Sequence, residues 1–162
     1  MPEQNDIAIR VFEPSDLHAV KSLIYNTIDV CYSNVYCKEA VQFFKDWHCD
    51  DRILKGAKEG HTIVLARNKQ IIGTGTIVGD EIMRVFVSPA FQRRGCGKII
   101  MRRLEEKSIS LGIKVVKLDA SLPSKKFYDC LSYITLEETF LEVENNKRLD
   151  FYKMEKVLMG SA

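Results

Sequence analysis

The sequence lacks any long hydrophobic run: no apolar stretch approaches the roughly 20 residues that a bilayer span requires. Its first residues, MPEQNDIAIR, do not follow the basic-then-apolar pattern of a secretory leader, so none is expected. It also lacks charge of one sign. With 24 basic and 22 acidic residues the formal net charge is +2, too little for a global field toward nucleic acid or an anionic membrane. No internal repeat and no Pro/Gly/Ser-rich linker interrupts the chain, so its 162 residues predict one domain around one substantial core. Cysteines are few, odd in number and scattered (Cys31, Cys37, Cys49, Cys96, Cys130), which predicts free thiols in a reducing compartment, the cytoplasm. Cys37, His48 and Cys49 fall near one another, but no CxxC or HxxxH spacing appears. They read as small core residues beside a surface histidine, and no metal is expected.

What is present is a regular alternation of elements. Ile7–Val11 reads as a short strand, followed by Glu13-Pro-Ser-Asp16, where Ser15 is placed to cap a helix carrying Leu17, Val20, Leu23, Ile24 and Ile28 at helical spacing. A loop with Cys31, Tyr32, Ser33 and Tyr36 is expected next, then a broken helical region from Lys38 to Lys58. His61–Arg67, Gln70–Val78 and Glu81–Val87 read as three strands joined by the short turns Asn68-Lys69 and Gly79-Asp80. Gly73 and Gly75 weaken the second of these and signal a close backbone approach. Gly95–Leu111 is a helix with Ile100, Met101, Leu104 and Leu111 on one face, closed by Gly112. Lys114–Ala120 is a strand, Ser124 caps a shorter helix through Leu131, and 133–143 with 148–157 form a terminal hairpin. The order β-α-α-β-β-β-α-β-α-β-β predicts an α/β (α+β) fold with a mixed sheet.

The segment Val85-Phe-Val-Ser-Pro-Ala-Phe-Gln-Arg-Arg-Gly-Cys-Gly-Lys98 carries the most chemistry. A strand ends, Pro89 prevents its continuation, and a basic, glycine-bearing turn enters a helix. A helix N-terminus has unpaired N–H groups and the positive end of the macrodipole, which suits a phosphate or pyrophosphate. Gly95 and Gly97 leave room for a ligand against the backbone, and Arg93, Arg94 and Lys98 add positive charge. The turn is no P-loop, since GK[ST] is missing, and no dinucleotide fingerprint, since Ile100 stands where the third glycine belongs. A nucleotide-binding protein is thereby disfavoured.

Gln92-Arg93-Arg94-Gly95-Cys96-Gly97 resembles the Q/R-x-x-G-x-G/A signature of the GCN5-related N-acetyltransferase (GNAT) superfamily, with Val85-Phe86-Val87 and Pro89 matching the strand before it. A second segment, Ser121-Leu-Pro-Ser-Lys-Lys-Phe-Tyr-Asp-Cys-Leu-Ser-Tyr133, is similar to the family's N-x-x-A-x-x-F-Y-x-x-x-G-F/Y, with Ser121, Ser124 and Ser132 departing from Asn, Ala and Gly. The resemblance implies the GNAT fold and acetyl-CoA as co-substrate. It places the pyrophosphate on residues 92–98, and the pantetheine arm along Val85, Phe86 and Val87, with Ser121, Ser124 and Tyr128 as further cofactor-binding candidates. It implies acetyl transfer to a primary amine by direct attack in a ternary complex.

The phenol of Tyr128, on the second motif, is the candidate general acid for the leaving thiolate, and Glu81, at the head of the third strand of the meander, the candidate base. Strand alternation puts Glu81 on the face of Met83 and Val85 unless a bulge intervenes. Cys96 and Cys130 adjoin the two motifs without a neighbouring histidine and read as packing residues rather than nucleophiles. The family resemblance implies that amine selection falls to the segment between the first two helices and to the terminal hairpin. There Asp29 and the phenols of Tyr25, Tyr32 and Tyr36 suit a cationic amine; Tyr25 reads as packing, while Tyr32 and Tyr36 are left unassigned. The acids Glu137, Glu138, Glu142 and Glu144 read as a solvated edge, and the hairpin offers an edge for pairing with a second copy. The rival reading is a CoA-binding regulatory module that keeps the fold without transferring acetyl.

Overall fold

The computed structural model describes residues 7–159. A seven-stranded mixed sheet organises them. Its strands are β1 (Ile7–Val11), β2 (His61–Arg67), β3 (Gln70–Val78), β4 (Glu81–Val87), β5 (Val115–Ser121), β6 (Ile134–Val143) and β7 (Lys147–Val157), and their spatial order is β1-β2-β3-β4-β5-β7-β6. The helices are α1 (Leu17–Tyr32), α2 (Lys38–Trp47), α3 (Asp50–Glu59), α4 (Cys96–Ser110) and α5 (Lys125–Cys130). The expected α/β architecture with a mixed sheet is therefore present, with α2 and α3 as separate helices broken at His48.

Two local readings change. Ser15 makes no cap. Asp16 instead takes the N3 place of a capping box on the 3-10 turn Pro14–Asp16, and its side chain does not cap α1. Its carboxylate accepts the Glu13 N–H at 2.8 Å while Arg10 grips it at 2.8 and 2.9 Å. That guanidinium holds the Asp16 carboxyl below the usual carboxylate range. Helix α1 also runs four residues past Ile28, so Cys31 and Tyr32 lie on a helix rather than in a loop. Val35 and Tyr36 then bond back to the Tyr32 carbonyl, which closes the helix end.

All strand pairs are antiparallel except β4 with β5, which run parallel and meet only at Glu81 and Lys117. Beyond that point the two strands diverge and leave a cleft in the middle of the sheet. Gly73 and Gly75 are the close approach expected of them: a Cβ at Gly75 would lie 2.6 Å from Ile100 and 2.9 Å from Leu104, so α4 lies directly on β3. The register between β3 and β4 slips there. Thr74 faces Phe86 and Thr76 faces Met83, so Gly75 opposes both Arg84 and Val85, and Arg84 takes a left-handed φ of 52°.

This bulge inverts the phase of β4. Ile82 belongs to the core under α4 with Ile63, Leu65, Ile72, Ile100 and Leu104, whereas Phe86, four residues on, belongs to the opposite core with Ile24, Ile28, Tyr32 and Ile53. In a regular strand the two would share a face.

Candidate active site

The carboxyl end of β4 and the start of α4 form the turn. Val87 and Phe86 pair with Gly73 and Thr74 on β3, while their β5-facing edge has no ladder partner. A 3-10 turn at Pro89–Phe91 follows, and Gln92 folds back so that its amide donates to the Val87 carbonyl at 2.9 Å. Arg93 (φ 62°) and Gly95 (φ 86°) are both left-handed, which bends the chain into a concave run of N–H groups at the head of α4. Arg93, Arg94 and Lys98 are exposed around it and form no ion pair among the described residues. The geometry is that of an anion cradle.

The two glycines of this turn have different reasons. Gly95 supplies the positive φ, with open space where a Cβ would be. A Cβ on Gly97 would lie 2.8 Å from the Phe127 ring, so Gly97 is small to seat α5 against α4, and its expected role as room for a ligand is corrected. Cys96 is buried in the core and its thiol is pushed up by desolvation, in keeping with packing rather than attack. All five cysteines are free, Cys130 exposed. Ser132 takes the position of the family glycine with a φ of 72°; its N–H reaches the Asp129 carbonyl and that of Tyr133 the Tyr128 carbonyl, so the turn forms despite the side chain.

The cleft opens into a cavity of about 580 Å³ on the α1–α3 side of the sheet. Tyr128, Ser121 and Ser124 line it from one side, Val85 and Phe86 from another. Tyr128 is buried, packed edge-on against Phe127 and Tyr133, and its hydroxyl has no hydrogen-bond partner among the described residues. Desolvation drives its pKa well up, so the phenol stays protonated. Ser121 Oγ donates to the Tyr32 hydroxyl at 3.1 Å and shares a 2.8 Å bond with Ser124 Oγ, so the two serines that depart from the family pattern are tied together.

Glu81 lies at the cavity's mouth opposite Asp119 of β5, with Lys153 of β7 beside them. Its carboxyl is raised, first by desolvation and then by Asp119 and Asp80. Because of the bulge, Glu81 and Val85 do not share a face.

The expected acceptor segment is only partly there. Tyr32 is in the cavity wall, but Tyr36 is structural: its hydroxyl donates to the Asp150 carbonyl at 2.7 Å and accepts the Leu122 N–H at 2.8 Å. Tyr25 packs beside Lys21 and Lys45, and Asp29 is exposed and paired with Lys45, away from the cavity. Glu137, Glu138, Glu142 and Glu144 are exposed, a solvated edge. His48, expected on the surface, is 7% exposed; it packs edge-on against Phe86, and its Nδ1 has no partner. Arg84, on which no pattern drew attention, projects from the bulge into the same cavity wall. Neither residue carries a local signal, since only tertiary contacts bring them together. Among the described residues no three His, Cys, Asp or Glu side chains gather as a metal set, and no helix is long and apolar enough to cross a membrane.

The turn at the head of α4 follows the strand Val85–Val87, as the sequence resemblance implied; the splayed parallel pair β4–β5 beside it is seen only in the structure. The family model for the acetyltransferase (GNAT) domain matches residues 32–158. The chain therefore belongs to the GNAT acetyltransferase family. Among solved structures, a GCN5-related N-acetyltransferase from Rhodopseudomonas palustris is 19% identical, with a TM-score of 0.85 over 93% of this chain and 95% of that one. The PaiA N-acetyltransferase from Thermoplasma acidophilum, in complex with coenzyme A, is 16% identical, with a TM-score of 0.72 over 93% and 98%. The ribosomal-protein-S18-alanine N-acetyltransferase from Escherichia coli is 14% identical, with a TM-score of 0.70 over 96% of both chains. At these identities the likeness is one of fold. No curated protein matches the chain in sequence.

Proposed function

We propose that this protein transfers the acetyl group of acetyl-CoA to a primary amine by direct attack in a ternary complex. The observation that carries this is the β4–β5 cleft, open between the concave turn at the head of α4 and the cavity that Tyr128 and Glu81 line. The N–H groups of Cys96, Gly97 and Lys98, with Arg93 and Arg94, hold the pyrophosphate; the free edge of Val85–Val87 pairs with the pantetheine amides. Bound acetyl-CoA supplies an activated carbonyl, and the chain's own groups manage the protons.

Glu81, kept more basic than an ordinary carboxylate by desolvation and then by Asp119, takes a proton from the acceptor ammonium, directly or through water. Tyr128, protonated and without an internal partner, faces the place where thiolate develops and gives it a proton. No cysteine suits an acetyl-enzyme: Cys96 is buried with a raised pKa and does not line the cavity. A calorimetric titration with acetyl-CoA, CoA and ATP tests the reading. Binding of both CoA forms but not ATP is expected, followed by thiol release with an amine. Absence of acetyl-CoA binding would sink it, and binding without turnover on any amine would mark a regulatory module instead.

A further inference from the structure

The cavity wall formed by α2, α3 and the β4 bulge has a chemistry that acetyl-CoA does not use. Arg84 enters it from a backbone held at φ 52°, a left-handed conformation that is strained for a non-glycine residue. Its Nη1 lies 3.3 Å from the Met83 sulfur, and a Cβ on Gly56 would sit 2.9 Å from that nitrogen, so α3 has a glycine where the guanidinium passes. The buried Nε has no partner. Arg52, stacked over Trp47 at 3.8 Å, lines the same wall, as does His48. Among the described residues no carboxylate lies within 4.0 Å of either guanidinium.

Two arginines turned into one cavity without a counter-ion repel each other. The Arg84 pKa is lowered first by desolvation and then by Arg52, and that of His48 first by burial and then by the same two guanidiniums. An uncompensated, partly buried positive charge is costly, and a bound anion removes the cost. The carboxylates Glu81 and Asp119 line the same cavity with Lys153, and Glu59 of α3 lines it too. Glu81 is raised first by desolvation and then by Asp119, and Asp119 by desolvation, with no arginine among the causes. Phe43, Phe44, Trp47, Leu141 and Phe151 supply apolar wall.

We propose that the acceptor is a small amine that also carries a carboxylate on an apolar body, in chemical class an apolar amino acid. Its carboxylate is held by Arg84 and Arg52 beside His48, and its ammonium lies toward Glu81. This rests on the transferase reading above and names its acceptor. It replaces the cationic amine that the phenols and Asp29 suggested, since Tyr36 is occupied and Asp29 lies outside the cavity.

The test is a titration of the protein, saturated with CoA, with N-acetyl-L-phenylalanine and with its amide. Initial rates with L-phenylalanine, L-phenylalaninamide and spermidine accompany it. The acid is expected to bind at least about tenfold more tightly than the amide, as loss of a charge-assisted bidentate contact requires. Arg84→Gln should remove that preference while leaving affinity for the amide and for CoA unchanged. Arg84→Gly removes the guanidinium while relaxing the backbone, and Arg52→Gln lies on an exposed helix position, so folding does not confound both. If CoA itself fails to bind, the transferase reading falls. If CoA binds but the amide or spermidine equals the acid, or neither analogue binds, or Arg84→Gln changes nothing, only the carboxylate subsite falls.

Discussion

The two faces of the sheet are built for different ends. Under α4 the core is aliphatic: Ile63, Leu65, Ile72, Ile77, Ile82, Ile100 and Leu104 are all at most 2% exposed, and α4 sits so close to β3 that two glycines must make room. Across the sheet the core is aromatic and interrupted. Tyr32, Phe44 and Phe86 surround a cavity, His48 and Arg84 keep nitrogens without partners, and one backbone residue is strained. One face concentrates close packing; the other leaves polar groups without partners around an open cavity. The bulge on β4 joins them, since it alone lets Ile82 serve one face and Phe86 the other.

That contrast can be broken by mutation. Ile100→Ala, on the aliphatic face, should lower the unfolding free energy by about 2–5 kcal/mol in urea titration while leaving acceptor selectivity per folded molecule intact. Tyr128→Phe should do the reverse: little change in stability, because the hydroxyl has no internal partner, but about a hundredfold lower kcat in thiol release. Unchanged turnover in that variant would remove the phenol's role. Glu81→Gln should abolish the acidic limb of the kcat/KM profile at nearly unchanged stability, since it also relieves crowding with Asp119.

His48 gives a subtler contrast through pH. Burial and the two guanidiniums push its pKa from 6.5 down to about 3, so the folded protein binds fewer protons there than the unfolded chain. Its neutral form is stable above about pH 6.5, and stability then falls by up to about 1.4 kcal/mol per pH unit as the pH drops toward the folded value. In His48→Gln that part of the slope should vanish from urea titrations between pH 4 and 7; an unchanged slope would mean the imidazole is hydrated. Smallest of all, Ser132→Gly should raise stability by about 0.5–1 kcal/mol, read as a higher Tm, by relaxing the left-handed turn after α5.

Much of this was legible before any tertiary contact was known, and the boundaries show why. The hairpin β2–β3, helix α4 and the β6–β7 hairpin fall within a residue or two of the expected spans, because periodicity and turn residues act over neighbours a few positions apart. The turn before α4 was legible for the same reason. Misreadings arose wherever the deciding partner is distant. Gly97 is small because of Phe127, thirty positions on, and the turn before α1 is fixed by the Asp16 carboxylate rather than by Ser15 because Arg10 grips it from β1.

By itself, then, the sequence determined the element order, the basic glycine turn before α4 and the position of Tyr128 on its helix, all set by local backbone preference and short motifs. Only the tertiary structure decided that β4 bulges at Arg84, that His48 is buried in the same cavity wall, and that two arginines line that cavity with no carboxylate, among the described residues, within 4.0 Å of either. Those features follow from strand register and from α3 packing over the sheet. Burial, charge and strain at a residue depend on what folds against it, and none of the three is encoded in its immediate neighbours.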